Sequence, residues 1–278
     1  MTSGTPVTSV SVVTFADSCL LSDVARQAAC LPATVRHIVV AVVVAGEMET
    51  LAAALPDSEV IPLEAYSAAG GRNLGGDLAA RGAHEPDDVI IFLDVDCLPG
   101  EDMVDRYRWA LDAHPDAVVT GCGDLPAGTL LRADERGHER FRSLSFALTV
   151  DTWRHLRRTF GGFDKGYTGY GAEDTDFAQH LRVHQVPLFW VGGVEVHQQS
   201  HPVADPPWEH FHDILRNAER FHAIWGFWPM TGWLEKFADE GAVEFRDGRW
   251  VAVSSRQARV QTRSGAARPD LPPLRPVT

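Results

Sequence analysis

The segment DDVIIFLDVD, residues 87–96, places the large apolar run VIIFL directly before an Asp-Val-Asp triplet. An unbroken apolar run of this length between polar boundaries is typical of a strand buried on both faces. In sheets that alternate with helices, ligands bind beyond the carboxyl ends of the parallel strands. The segment therefore predicts a central strand that delivers Asp94 and Asp96 to a ligand cleft.

Apolar strand segments alternate with helical segments on both sides of this strand. The strand segments are VSVVTFA (10–16), RHIVVAVVVAG (36–46), SEVIPLE (58–64) and AVVTGC (117–122). The helical segments between them are LLSDVARQAACL (20–31), METLAAALP (48–56), GGRNLGGDLAARGAHE (70–85), which opens with glycines, and EDMVDRYRWALDAHP (101–115). Alternation at this spacing predicts an α/β fold with a mainly parallel sheet flanked by helices.

The pattern changes after residue 121. Residues 122–142 are polar and irregular, and further strands are expected at SLSFALTVDTW (143–153) and PLFWVGGVEVH (187–197). Residues 207–238 have a helical pattern rich in aromatic residues, and VEFRDGRWVAV (243–253) contains the Asp-Gly turn of a hairpin. We expect the aromatic side chains mainly to pack, with a binding surface for sugar or lipid as the alternative.

These changes divide the chain into three expected parts. They are an α/β domain over residues 9–202, a helical and hairpin extension over 203–253, and a disordered tail over 254–278, where large apolar groups are few. The 278 residues and 45% apolar content are enough for one substantial core.

The charge and the cysteine spacing exclude several classes of protein. A net charge of −13 disfavours a general nucleic-acid partner, because phosphate binding needs a basic face. The start MTSGTPVTSV lacks the pattern of a signal peptide, and the longest apolar run falls short of the roughly 20 residues of a membrane helix. Four cysteines without a CxxC pair indicate neither a zinc ribbon nor a disulfide framework. We expect a reduced, cytoplasmic protein, with peripheral attachment to a membrane left open.

A second acidic motif follows a glycine-rich loop in GYTGYGAEDTDFAQHLR, residues 166–182. Its carboxylates, Glu173, Asp174 and Asp176, stand where a helix is expected to begin. The helix dipole favours an acid there, but capping needs only one. The acids that capping does not require therefore indicate a binding or catalytic role.

The two motifs together resemble a glycosyltransferase of the GT-A fold. The second motif, extended to GGFDKGYTGYGAEDTDFAQHLR (161–182), is similar to the pattern GGF…Y.GWG.ED.D…R of the C-terminal galactosyltransferase domain. It is also similar to family 2 glycosyltransferases and to the polypeptide N-acetylgalactosaminyltransferases. The likeness covers about residues 10–200 and implies the Rossmann-like fold of nucleotide-diphospho-sugar transferases.

The resemblance implies a role for each matching residue. Asp174 would be the catalytic base that deprotonates the acceptor hydroxyl, and the sugar would be bound by Glu173, Tyr170 and Gly171. The nucleotide would be bound by Thr14, Phe15, Arg72, Asn73, Asp94 and Val95. A Mn²⁺ or Mg²⁺ ion would be held by Asp96, Asp94 and His197, a histidine that follows a predicted strand. His201 is the alternative imidazole, and either one beside two carboxylates suits Mn²⁺ better than Ca²⁺.

Two departures from the family pattern limit what the resemblance implies. The acid that reads the base after the second strand is only approximately matched by Glu47, so uridine is the default base. Tyr170 and Ala172 replace the tryptophan and the second glycine of the galactosyltransferase pattern, so a preference for galactose is not implied.

The implied activity is that of an inverting, metal-dependent hexosyltransferase. It would move a sugar from a nucleoside-diphosphate donor, UDP by default, to a hydroxyl of a carbohydrate, small-molecule or lipid-linked acceptor. We expect the loop glycines to let the loop close over donor and acceptor, and the crowding of acids to raise carboxylate pKa values. The alternatives are a sugar nucleotidylyltransferase, although the first strand lacks the expected glycine-rich loop, and a non-catalytic nucleotide-sugar-binding module. A dehydrogenase is disfavoured because GGRNLGG is not GxGxxG.

Overall fold

An eight-stranded mixed sheet lies at the centre of the structure, a computed structural model that describes residues 9–17, 21–43, 47–199 and 204–253. The strands are β1 (Val10–Asp17), β2 (Arg36–Val42), β3 (Ser58–Leu63), β4 (Val89–Leu93), β5 (Cys97–Pro99), β6 (Val118–Cys122), β7 (Leu130–Arg132), β8 (Ser145–Thr149), β9 (Leu188–Gly192), β10 (Val196–Gln198), β11 (Val243–Arg246) and β12 (Arg249–Ala252). The helices are α1 (Leu21–Cys30), α2 (Glu47–Ala54), α3 (Ala68–Arg81), α4 (Met103–Ala113), α5 (Glu135–Glu139), α6 (Val150–Thr159), α7 (Glu173–Val183), α8 (Phe211–Trp225) and α9 (Thr231–Asp239), with a 3-10 turn at Trp208–His210.

The strand order across the large sheet is β3-β2-β1-β4-β8-β6-β9-β7. The first four strands are parallel to one another, and β6 is parallel to β9. Only β8 and β7, among the strands of this sheet, run antiparallel to their neighbours. The predicted α/β fold with a mainly parallel sheet is therefore confirmed.

Apolar layers cover both faces of this sheet. On one face, under α3, α6 and α7, Phe92 stacks on Phe146 with ring centroids 4.6 Å apart, and Phe163 stacks on Phe177 at 4.3 Å. On the other face Tyr107 of α4 is fully buried. All residues of β4 are buried, as its unbroken apolar run predicts. The packing from both sides fixes the position of the strand end that precedes Asp94.

The glycines that open the segment 70–85 lie within helix α3. It begins two residues before Gly70, with the Ser67 side chain accepting a hydrogen bond from the Gly70 amide. A Cβ atom at Gly71 would lie 2.1 Å from the Phe15 ring, and one at Gly76 would lie 2.5 Å from the Trp153 ring. The glycines therefore allow the helix to lie directly on neighbouring aromatic rings.

Two segments expected to be single strands are divided in the structure. PLFWVGGVEVH (187–197) forms β9 in the large sheet and then β10, which pairs antiparallel with β5 just after Asp96. In SLSFALTVDTW (143–153) the strand ends at Thr149, whose side chain caps α6. The division of segment 187–197 matters for the site. The pairing of β10 with β5 determines which side chain of β10 reaches Asp96.

The extension after residue 203 packs around its own apolar cluster. Buried members of this cluster include Phe211, Ile214, Leu234 and Phe237, and the indoles of several tryptophans cover it in part. The expectation that most aromatic residues of this segment pack is confirmed. The Asp247-Gly248 turn joins β11 to β12 as the predicted hairpin.

Some expectations are not decided by the fold. The boundaries at residues 202 and 253 stay predictions, and the tail over 254–278 lies outside the described residues. Among the described helices, none combines the length and the apolarity needed to cross a bilayer.

We predict that Gly76→Ala lowers the free energy of unfolding by about 1–3 kcal/mol, because the added methyl overlaps the Trp153 ring in a packed core. Urea denaturation measures the effect. Gly232→Ala in α9 is the matched control, since a Cβ there meets nothing within 4 Å, and it should be neutral or slightly stabilising. Equal urea midpoints for the two variants would show that the α3 contact is not tight.

Candidate active site

The carboxyl end of β4 presents two acids on either side of a buried valine. The side chain of Val95 is packed in an apolar cluster with Val24, Val39 and Leu51. With Val95 fixed in this way, the carboxylates of Asp94 and Asp96 are turned away from the core. The side chain of Val95 is buried in this cluster, so its predicted role at the nucleotide stays a prediction that only its backbone could fill.

A buried polar network supports this strand end from below. The side-chain amide of Gln27 donates to the carbonyl oxygens of Asp94, at 2.6 Å, and Cys97, at 2.8 Å. The hydroxyl of Thr14 donates to the Gln27 side-chain oxygen at 2.6 Å and is completely buried. Thr14 was expected to contact the nucleotide, but the structure places it in the core, where it orients Gln27.

Arg72 links the strand end to the glycine loop. Its guanidinium lies 3.4 Å from Asp94 Oδ1 and 3.4 Å from Glu173 Oε1, although these acids belong to distant parts of the chain. Burial disfavours the charge on Arg72, but Asp94, Glu173 and Asp174 outweigh it and raise the pKa of the guanidinium. The structure thus brings the acids of both motifs around one buried cation.

The carboxylates of this group affect one another. Burial, with repulsion from Asp96 and Asp174, raises the pKa of Asp94 to about 6 against the attraction of Arg72. Burial and the neighbouring Asp174 also raise the pKa of Glu173. The pKa of both acids is shifted upward as expected, with burial as the main cause and repulsion between neighbouring acids as a further one.

Asp174 stands in the first turn of α7, next to Tyr170. It is half-buried, and its Oδ1 accepts a hydrogen bond of 2.8 Å from the Thr175 amide. Burial, together with Asp174 and Glu173, raises the pKa of Tyr170 to about 12. The Tyr170 ring, 37% exposed, stacks on His210 of the extension at 4.3 Å. The predicted base and the predicted sugar-stacking residue are therefore neighbours.

The third acid of the motif has a structural role. Asp176 is 1% exposed and accepts hydrogen bonds from the Tyr167 hydroxyl, at 3.0 Å, and from the Trp225 indole, at 2.8 Å. It joins the glycine loop to α8. The surplus of acids in the sequence thus divides into two that lie near Arg72 and one that holds the loop.

Two further residues expected at the nucleotide are used for packing. The Asn73 side chain donates to the Phe163 carbonyl at 2.8 Å and accepts from the Phe163 amide at 3.0 Å, which fixes the Gly-Gly-Phe turn on α3. Phe15 is buried against α3 and meets the half-exposed ring of Tyr66 edge-on at 5.5 Å. Among the residues predicted to bind the nucleotide, Arg72 and Asp94 have side chains that belong to the group of acids around the Arg72 guanidinium.

The predicted metal histidine does not meet Asp96 in this structure. Gln198 donates to Asp96 Oδ2 at 2.7 Å, whereas His197 Nε2 lies 3.7 Å from Glu195 Oε2. Successive residues of a strand project to opposite faces, so the imidazole and the Gln198 amide point apart. Within the described residues, no three side chains of His, Cys, Asp or Glu form a group that could hold an ion. The carboxylates of Asp94 and Asp96 suit a cation, but the described residues do not bring a third ligand of these types to them. His201, the alternative imidazole, lies outside the described residues.

The sequence did not predict three residues of this region, Gln27, Gln198 and Asn217. The Asn217 amide contacts the glycine loop. Gln27 and Asn217 lie on the buried faces of amphipathic helices, with 0% and 1% exposure. A polar residue on an otherwise apolar helix face is the signal that could have identified both, because a buried amide needs partners.

No protein-family model and no curated protein matches the chain. Among solved structures, the chain is similar to S. aureus TarS, with a TM-score of 0.51 and 13% identity over 82% of this chain and 45% of that one. TarS 1–349 gives 0.50 and 12% identity over 82% and 75% of the two chains. TarS 1–349 in complex with UDP-GlcNAc gives 0.46 and 14% identity over 82% and 76%. The first two matches show a shared fold, and the chain spans less than half of the longer TarS chain.

We predict a pH-dependent stability from His37, whose ring lies 3.2 Å from the Thr14 hydroxyl and 2.8 Å from that of Ser58. Burial lowers the pKa of His37 to about 4, so between pH 6.5 and 4 the unfolded chain binds a proton that the folded chain does not. Stability therefore falls as the pH drops through this window. Urea denaturation at pH 7 and 4.5 should show a loss about 2 kcal/mol larger for the wild type than for His37→Gln. Equal losses would mean that His37 is protonated in the folded state.

Proposed function

We propose that the chain is a glycosyltransferase that moves a hexosyl group from a nucleoside-diphosphate donor, with uridine as the preferred base, to an acceptor hydroxyl with inversion. One observation carries this proposal. Arg72 joins Asp94 at the carboxyl end of the central strand to Glu173 in the loop motif, with Asp174 beside them. This edge of the sheet is where folds of this class bind nucleotides.

The charge of the cleft bears on how the donor would bind. Several carboxylates surround one buried guanidinium, and a nucleoside diphosphate is itself anionic, so the donor needs added positive charge. Carboxylate oxygens are the ligands that Mg²⁺ and Mn²⁺ prefer. Asp96 and Asp94 would hold such an ion, which when bound would stabilise the charge on the leaving diphosphate. A cation would also offset the burial and the repulsion from Asp96 and Asp174 that raise the pKa of Asp94.

The loop pair supplies the acceptor side of the reaction. Asp174 would take the proton of the acceptor hydroxyl, and the Thr175 amide, which donates to one of its carboxylate oxygens, supports this role. Glu173, held by Arg72, would bind sugar hydroxyls, and Tyr170 beside Gly171 offers an aromatic face to the sugar. A base that acts opposite the leaving group gives inversion at the anomeric carbon.

We predict that Asp174→Asn lowers kcat by about 10²- to 10⁴-fold, because the amide keeps the size of the carboxylate but cannot accept the proton. Donor binding should stay within about threefold, since Asp174 is assigned to the acceptor. Nucleoside-diphosphate release from a panel of UDP-sugars with Mn²⁺ measures the rate, and thermal shift measures donor binding.

Asp239→Asn, which changes an exposed acid of α9, is the control for this experiment and should behave as the wild type. Full transfer by Asp174→Asn would reject Asp174 as the base. A wild type that binds donors but releases no diphosphate with any acceptor would instead be a nucleotide-sugar-binding module.

We also predict that the rate depends on a divalent cation. EDTA should abolish diphosphate release and Mn²⁺ should restore it. Asp96→Asn should raise the Mn²⁺ concentration for half-maximal rate by about tenfold or more, because a charged ligand is lost. His197→Ala is the comparison, with an expected change below about threefold, since its imidazole lies beside Glu195. A change as large as that of Asp96→Asn would make His197 a ligand.

A further inference from the structure

A single buried amide contacts the backbone of the glycine loop at three places. Asn217 Nδ2 lies 3.1 Å from the carbonyl oxygen of Thr168, 3.1 Å from that of Tyr170 and 3.0 Å from that of Gly171. Asn217 is 1% exposed, on the face of α8 that packs on the loop. These carbonyls directly precede the Glu173–Asp174 pair, so the amide contacts the backbone that places both acids.

Other residues of α8 hold the same loop from the same side. Arg216 donates to the Thr168 carbonyl, Arg220 pairs with Asp164 just before the loop, and Trp225 donates to Asp176 in the first turn of α7. Arg216 and Asn217 are four and three positions before Arg220, so these three side chains share one face of α8 and contact the loop together.

The loop needs such support because its backbone conformation is costly. Gly169, Gly171 and Ala172 have φ values of +71°, +97° and +73°. A left-handed conformation is unfavourable for alanine, and glycine loses much conformational entropy when it is fixed. Contacts from outside the loop must therefore hold this conformation.

We propose that Asn217 is a positioning residue that sets the glycine loop so that Tyr170, Glu173 and Asp174 face the end of β4; this inference rests on the proposed function. The amide acts as a donor to carbonyl oxygens, a role that a carboxylate of the same shape cannot fill. These bonds come from the protein itself, so the position of the loop does not require a contact with the substrate. The expectation, drawn from its glycines, that the loop closes over donor and acceptor stays a prediction.

The test compares Asn217→Asp and Asn217→Ala with Phe237→Leu. Phe237 is buried in the core of the extension, so Phe237→Leu weakens the extension without removing a hydrogen bond to the loop. All variants are studied at a temperature at which circular dichroism shows them folded. The first measurement is amide hydrogen exchange of residues 166–176 without any donor. We expect exchange about tenfold faster or more in both Asn217 variants and less than about threefold faster in Phe237→Leu.

The second measurement is steady-state diphosphate release. We expect kcat to fall about 10- to 100-fold in the Asn217 variants with the donor KM within about threefold, because a misplaced loop displaces the base and not the nucleotide site. A role in general stability alone would lower the kcat of Phe237→Leu equally.

Each outcome decides one of the two proposals. Unchanged loop exchange in both Asn217 variants, or an unchanged kcat in an active enzyme, overturns the positioning role. If the wild type releases no diphosphate, the proposed function fails, and the exchange comparison still decides whether Asn217 fixes the loop. If exchange and kcat change only in the Asn217 variants, the positioning role is supported.

Discussion

The arrangement of the acids depends on the buried guanidinium of Arg72. It lies between Asp94 and Glu173, and these carboxylates come from segments that only the folded chain brings together. Burial raises the pKa of each acid, and the attraction of Arg72 is the force that opposes the shift in both. Without this cation, placing the strand end and the loop motif side by side would bury like charges without compensation, which is strongly unfavourable.

The position of Arg72 follows from the glycines around it in α3. Because Gly71 leaves room for the Phe15 ring, and Gly75 for Val13, the helix lies close enough to the sheet for Arg72 to reach the end of β4. Gln27 fixes that end from the other side through two backbone carbonyls. A local feature of the sequence, small residues spaced along a helix, thus determines a contact between distant segments.

The sequence predicts the scaffold well and the contacts of the site less well. Long apolar runs identify the buried strands because burial on both faces leaves little choice of residue, and the acids of DVD are found at the predicted strand end. The partners of the loop acids depend on tertiary packing, which local sequence patterns do not encode. The pairing of Glu173 with Arg72 and of Asp176 with Trp225 therefore could not be predicted from the sequence. The orientation of His197 depends on the register of β10, which a segment read as one continuous strand cannot give.

The loop and the cleft are stabilised by different kinds of interaction. The cleft acids are balanced by charge, from Arg72 and, in the proposed function, from a cation. The loop is held by neutral and charged groups together, since the Asn217 amide contacts its carbonyls, the Asp176 carboxylate accepts from Tyr167 and Trp225, and Arg220 pairs with Asp164. The contacts of Asn217 join uncharged groups, so they depend little on the net charge of the neighbouring site. In the proposed function, these contacts would help to keep Asp174 in place while an anionic donor binds and a diphosphate leaves.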